Sequence, residues 1–436
     1  MEALKQKFAE KALSLYQELR SATKANGTLK VDEVTLSQVV GGARGIKMML
    51  WETSQLDPNK GIRFRGYSIP EIKEALPSGP QGEPKPEGLF WLMLTGEIPT
   101  PEEVDALTQE WHSRADVPGA VFTVLDSLPT DAHPMTQLTI GVMAMQSDSI
   151  FSRRYAEGMP KSDYWDAVYE DSMNLIARLP RVAAYIYRRT FKEGKHIEPD
   201  TSLDYSANYA HMLGSDDEDF RSLMRLYLTI HADHEGGNAS AHTVHLVGST
   251  LSDPYLAFSA GMNALAGPLH GLANQEVIKW IFEMIDSLGT KTPTEQQIAD
   301  YVQQTLDEGK VIPGYGHAVL REPDPRFTAQ RRFAEQYIHD SDLISTVWKI
   351  FDVVPPMLQA LGKVKNPWPN VDAHSGALLV HYGFSEFSYY TVLFGVSRAL
   401  GVLAAGIWSR ALGMPLERPK SVTTDWVMNQ VKNNSK

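Results

Sequence analysis

The sequence predicts a mainly α-helical protein, and three observations carry that expectation. Apolar residues recur at three- and four-residue spacing over long stretches, notably 164–187 (YWDAVYEDSMNLIARLPRVAAYIY) and 223–231 (LMRLYLTIH), the period of a helix with one buried face. Thr100-Pro101-Glu102-Glu103 and Thr292-Pro293-Thr294-Glu295 each set Thr at an N-cap, Pro at the first helical position and Glu where a capping box closes. Extended signals are confined to residues 28–40 and 61–68, which alternate over only a few positions. That is enough for a short β-hairpin but not for a parallel sheet, so a doubly wound fold is excluded.

Taken in order, residues 1–20 read as an amphipathic helix with Glu2, Glu10 and Glu18, unlike acid-poor transit peptides or apolar secretory signals. No targeting segment is visible. Residues 76–88 (LPSGPQGEPKPEG) read as a Pro/Gly-rich surface loop, with similar punctuation at 321–326 and 365–370. Helices start near 101 and 293. Residues 391–408 (TVLFGVSRALGVLAAGIW) approach bilayer-spanning length but hold Arg398 near the middle, which makes them a buried helix of a globular protein. No linker, repeat or low-complexity tract separates domains, so plural domains must be packed together and discontinuous.

Composition excludes several classes of chemistry. The 436 residues contain no cysteine, which removes disulfides, thiolate zinc sites, iron–sulfur ligands and a cysteine nucleophile. Forty-one basic against fifty-three acidic side chains give a net charge of −12, unsuited to nucleic acid or an anionic membrane. An anionic small ligand would need basic residues gathered locally.

Histidine is where such a site declares itself: nine of the thirteen lie between His231 and His381. His231 and His234 are three apart, a spacing that shares a helix face and resembles a metal-ligand pair, and His242 and His245 repeat it. The zinc-protease order H-E-x-x-H and its inverse are absent, and packing histidines explain the same letters. His270 follows a stretch rich in small residues; it is either a core imidazole bonded to a carbonyl or a donor to a developing oxyanion. Pro313-Gly314-Tyr315-Gly316-His317 brackets a histidine with glycines that let backbone approach a ligand, or is a structural turn. It lacks the last glycine of a dinucleotide fingerprint. In NPWPNVDAHSG, Asp372 is the one charge; desolvation would raise its pKa, or it caps the next helix. Arg398 implies a carboxylate partner or an anionic ligand, and Arg418 lies in LERPK. Histidines, one Asp and several Arg suggest acid–base chemistry on a small polycarboxylate.

Together HADHEGGNASAHT, AGPLHGLANQEV, VIPGYGHAVLREPDPR, KNPWPNVDAHSG, GVSRALGV and LERPKS resemble eukaryotic-type citrate synthase, from GGARGIKMMLWETSQLDPNKGIRFRGYSIPE near the start to ERPKS near the end. The resemblance implies a mainly helical homodimer with shared active sites, a large domain of residues 1–271 and 378–436, and a small domain of residues 272–377 on the CoA side of a cleft. It implies condensation of acetyl-CoA, a substrate rather than a cofactor, with oxaloacetate and water to give citrate and CoA. Asp372 is then the base, His270 the partner of the enol or enolate oxygen, and His317 the donor to the oxaloacetate carbonyl. His234, Asn238, Arg326 and Arg398 match oxaloacetate-binding positions, with Arg418 contributed by the other subunit. For CoA the matching positions are Val311, Gly314, Tyr315, Gly316 and Ala318 beside the adenine, with Arg44, Lys363 and Asn370 near the nucleotide or pantetheine arm. Lys161, where animal relatives often carry Arg, faces the CoA phosphate. Neither a metal nor a cofactor is implied, and the location implied is the mitochondrial matrix. The same residues would serve 2-methylcitrate synthase with propionyl-CoA, and a metal-binding or assembly protein without turnover is the alternative from a different class.

Overall fold

The structure, a computed structural model, describes residues 2–362 and 364–434. Apart from one small sheet, the regular structure of these residues is helical. The sheet is antiparallel in chain order, with β1 (Ser54–Asp57), β2 (Gly61–Phe64) and β3 (Tyr67–Ser68). Arg65 and Gly66 join β2 to β3 at φ 48° and 95°, the two left-handed residues that match the twist of paired strands. This is the hairpin read at 61–68. The other extended reading, at 28–40, is not a strand. Residues Leu36–Val40 form a short helix instead, because Thr35 and Gln38 close a capping box. Before it, Leu29 and Val31 are 71% and 66% exposed, and among the described residues no strand pairs with them to bury their alternation.

Helix starts followed the caps. Pro101–Arg114 begins as read, with Thr100 and Glu103 satisfying each other's backbone N–H groups. The second start lies later: Thr294 is the cap of Glu295–Asp307 and Gln297 closes the box. Two threonines compete there, and the Pro293 carbonyl is taken by Lys349 Nζ at 2.9 Å. Residues 76–85 are the irregular surface stretch read from the sequence, with Ser78, Pro80 and Gly82 exposed, but it is pinned by a Ser78–Pro84 bridge, buries Glu83 against Lys73 at 2.8 Å, and gives way at residue 86 to the helix Pro86–Thr95.

The core is organised around Tyr390–Ala411, called here the central helix, which is buried at nearly every position. Tyr164–Phe191 and Glu218–Ile230 pack along it, and Trp408 ties it to the Met93 carbonyl at 3.0 Å. Each fully buried aliphatic or aromatic side chain here contributes about 1.5–3 kcal/mol. Arg398 therefore sits in the most apolar part of the molecule. A second group of helices, Ala273–Leu288, Glu295–Asp307, Pro325–Tyr337, Asp342–Ala360 and Asp372–His381, packs mainly on itself.

Candidate active site

Helix Glu218–Ile230 stops before the HADHEGGN motif, so His231 and His234 do not share a helix face. The cause is Asp233. Its buried Oδ2 accepts from Trp51 Nε1 at 2.9 Å, Ser54 Oγ at 2.8 Å and the Thr53 hydroxyl, and Oδ1 accepts from the His234 N–H at 3.0 Å. Those bonds pull residues 231–238 into an irregular path beside β1. His234 is left buried with Nε2 lacking a partner within the subunit, and its ring lies 5.4 Å from that of His317. Burial, with Arg326 and His317 adding, holds the His234 pKa well below its ordinary value. It is neutral.

Asn238 then caps Ala239–Ser249, called here the cap helix. Its Oδ1 accepts from the Ala241 N–H at 3.1 Å, from Ser240 Oγ at 3.0 Å and from Arg398 Nη1 at 3.0 Å. Arg398 also donates from Nε to the His231 carbonyl at 3.2 Å and from Nη1 to Ser240 Oγ at 3.3 Å. Among the described residues no carboxylate forms an ion pair with it. Burial lowers its pKa to about 10, so it remains cationic at neutral pH. A buried cation held only by neutral acceptors favours an anion beside it. Arg326 differs. It begins the helix Pro325–Tyr337 and is clamped by Asp324 through Nε at 3.0 Å and Nη2 at 2.7 Å. Burial works against the Asp324 charge, but Arg326 outweighs it and keeps that pKa low.

The two other histidines have fixed tautomers. His270 Nε2 accepts from the Ser240 N–H at 3.2 Å, so its proton resides on Nδ1; the bond to a carbonyl expected of a core histidine is not formed. His317 is the reverse. Nδ1 accepts from the N–H groups of Val319 and Leu320, both at 3.0 Å, leaving Nε2–H as a donor. Burial lowers both pKa values to about 4, with Arg398 adding at His270 and Arg326 at His317. Each is a neutral N–H donor over the working pH range.

The glycines around His317 have a conformational reason. Gly314 has φ 80°, and a Cβ there would lie 2.9 Å from Val277 Cγ2. This turn is laced to the NPWPN segment: Gly316 N–H donates to the Trp368 carbonyl at 2.9 Å, Asn370 N–H to the Gly314 carbonyl at 2.9 Å, and Asn370 Nδ2 to the Gly316 carbonyl at 3.2 Å. Asp372 follows as the first residue of Asp372–His381. It does not cap the helix. Its N–H donates to Asn370 Oδ1 at 3.0 Å. Burial, partly countered by Arg326, pushes its carboxyl up to about 7.

His234, Asn238, His270, His317, Arg326, Asp372 and Arg398 line one cavity of about 400 Å³, joined by Gly316, Ala318 and Asn370. Gly314 and Tyr315 lie behind that wall; Val311, Arg44, Lys161 and Arg418 are exposed elsewhere. Lys363 lies outside the described residues. His242 and His245 face away from the cavity, toward Glu417. The residues 231–245 thus divide between a cavity wall and a contact with the C-terminal segment, and among the described residues no group of three His, Asp or Glu is arranged to hold a metal. Sequence reading missed Ser240, which touches His270, Asn238 and Arg398, and Asp233. The signals were present as a hydroxyl two residues after an N-cap Asn and an acid inside H-A-D-H.

Comparison with known proteins gives one family. The profile described as citrate synthase, C-terminal domain, matches residues 42–420. A mitochondrial citrate synthase of Daucus carota is 58% identical over 411 residues, 94% of this chain and 87% of that one. A probable mitochondrial citrate synthase of Glossina morsitans morsitans is 56% identical over 432 residues, 99% of this chain and 93% of that one. Among solved structures, citrate synthase from Pyrobaculum aerophilum superimposes with a TM-score of 0.77 at 26% identity, over 91% of this chain and 95% of that one.

Proposed function

The chain belongs to the citrate synthase family, and we propose that the cavity between the central helix and the helices of residues 272–377 carries the family's condensation, with its residues in specific roles. The reaction joins acetyl-CoA to oxaloacetate and, with water, releases citrate and CoA. Oxaloacetate is the dianion that Arg398 and Arg326 receive, assisted by His234 Nε2 and by Arg418 from a second copy of the chain. His317 Nε2–H meets the keto oxygen. The acetyl group enters with its thioester oxygen toward His270 Nδ1–H and its methyl toward Asp372. Asp372 takes a methyl proton, the enol or enolate carbon attacks the keto carbon, and the resulting thioester is hydrolysed by water.

The physics supports this division of labour. A base with pKa near 7 is matched to neutral pH, and its removal of a carbon-bound proton needs a placed donor for the oxygen that gains charge. Neutral imidazoles supply that hydrogen bond without a second cation. Shielding an enolate from water favours closure of residues 272–377 over the bound oxaloacetate; since the helix Asp372–His381 runs past residue 378, the small domain on this reading extends to the turn at Tyr382. The CoA positions, the homodimer, the mitochondrial matrix and the opening step of the tricarboxylic acid cycle come to this chain through its family, and no role assigned uses a metal or cofactor.

The observation that carries the proposal is Arg398, buried without an ion-paired carboxylate among the described residues, on the same cavity as a buried Asp372. The matches support the acetyl-CoA reaction and lend nothing to propionyl-CoA, which one methylene separates by about 1–3 kcal/mol. The test is thiol release from acetyl-CoA with and without oxaloacetate, repeated with propionyl-CoA and with a chelator. Release that requires oxaloacetate, prefers acetyl-CoA and survives chelation is expected. Release independent of oxaloacetate, or abolished by the chelator, would sink the reading.

A further inference from the structure

The segment bearing Arg418 is anchored through its neighbour. Residues 415–423 have no regular structure, and Arg418 is exposed. Glu417, its side chain 13% exposed, turns back onto the cap helix. Its Oε1 lies 2.8 Å from His242 Nε2, its Oε2 3.7 Å from His245 Nε2, and its N–H donates to Ser249 Oγ at 3.1 Å. Residues 242, 245 and 249 follow one another along a single helix face. His245 Nδ1 is in turn 3.4 Å from Ser409 Oγ on the central helix. The cap helix begins at Asn238, one turn before His242, where Asn238 Oδ1 receives Arg398. One short rod therefore carries the frame of Arg398 at its start and the anchor of Arg418 along its side.

We propose that Glu417, held by His242 through its side chain and by Ser249 through its backbone N–H, is a positioning residue that sets the register in which Arg418 reaches the oxaloacetate site of a second subunit. The inference rests on the reading above that Arg418 acts in trans. Without the clasp, an irregular stretch would have to be ordered each time a substrate binds, and that conformational entropy would appear as weaker oxaloacetate binding. Acetyl-CoA, which Arg418 does not touch, would be little affected.

The experiment is steady-state kinetics on Glu417→Ala, Glu417→Gln, Arg418→Ala and the double variant Glu417→Ala/Arg418→Ala, with native mass spectrometry of each. Glu417→Ala is expected to raise the oxaloacetate KM about tenfold while the acetyl-CoA KM stays within about twofold. Glu417→Gln keeps an acceptor for His242 and should recover most of the loss. In the Arg418→Ala background, Glu417→Ala should add nothing, since a residue acting through Arg418 has no route left. An equal effect in both backgrounds overturns positioning in favour of a general structural role. An unchanged KM in Glu417→Ala while Arg418→Ala raises it also overturns positioning, and leaves the trans reading intact. If Arg418→Ala itself changes nothing, both fail. Should Glu417→Ala not fold, His242→Leu removes the same contact from the other side and is read against the same outcomes.

Discussion

Arg398 reaches the cavity from the middle of a helix buried along nearly its whole length, whereas Asp372 reaches it from the first residue of a helix that follows an irregular stretch. The difference extends to their neighbours. On the helical wall, Arg398, Asn238 and Ser240 are bonded to one another and to the His231 carbonyl. On the opposite wall, backbone bonds between residues 314–316 and 368–370 are reinforced by the Asn370 side chain and Arg326 is clamped by Asp324, while burial dominates at the Asp372 carboxylate and is only partly countered by Arg326 and Arg398. A permanent charge is held through Nε and Nη1 in a frame of neutral acceptors that fixes where a carboxylate will bind. A reacting group is left desolvated, so that its basicity is available to the substrate.

If that contrast is right, damage to the two walls should register in different measurements. Arg398→Lys keeps the charge but cannot reproduce a planar fork that spans the His231 carbonyl, Asn238 and a ligand carboxylate. Oxaloacetate affinity by calorimetry should fall about 100-fold; an affinity nearly unchanged would make Arg398 structural. Next in size is a test of whether the helical wall is completed by a second subunit. Asp372→Ala homodimers should be inactive, and Arg418→Ala homodimers, which turn over only at raised oxaloacetate, should be nearly silent at an oxaloacetate concentration close to the wild-type KM, where the mixture is assayed. In random co-assembly about half the dimers are mixed, each with one intact site of two, so roughly one quarter of wild-type activity should return. No recovery, with mixed dimers confirmed by mass, would place Arg418 in its own subunit's site.

The loop wall should dominate the pH dependence. Asp372 is protonated below about pH 7 and cannot act as a base, while His270 and His317, with pKa values about 4, stay neutral down to that lower range. The rate should therefore fall about tenfold per pH unit below 6, with a single acid limb set by Asp372. A smaller consequence concerns stability. A carboxyl whose pKa is higher folded than unfolded loses folding free energy as pH rises between the two values. Asp372→Asn, which carries no such charge, should then melt above the wild type at pH 8, and a lower melting temperature would mean that the carboxylate is satisfied after all.

The same contrast explains what the sequence made legible. The central helix could be read because burial writes itself as a continuous apolar run, and one Arg inside it is conspicuous. Thr100 and the hairpin at 61–68 were legible because caps and tight turns are local chemistry. Residues 28–40 were misread since alternation is only half of a strand; the partner edge is tertiary. His231 and His234 were misplaced for a related reason: Asp233 reaches across to Trp51, Thr53 and Ser54, and no local rule reports a bond over so long a separation. Ser240 went unnoticed because its value lies wholly in where His270 and Arg398 arrive. The motifs did locate Asp372, His270 and His317, but the tautomers that make the histidines donors exist only in the folded backbone.

Whether Arg398 binds while Asp372 reacts is tested most directly by Asp372→Asn, measured by calorimetric oxaloacetate binding and by turnover in the same preparation. The substitution removes the base and leaves every contact of Arg398, Arg326 and His234. Turnover should fall by about 10²–10⁴-fold or more, while the oxaloacetate dissociation constant stays within about threefold of the wild type. An affinity lost in proportion to the rate would contradict the division, and would assign Asp372 to holding the substrate rather than to taking its proton.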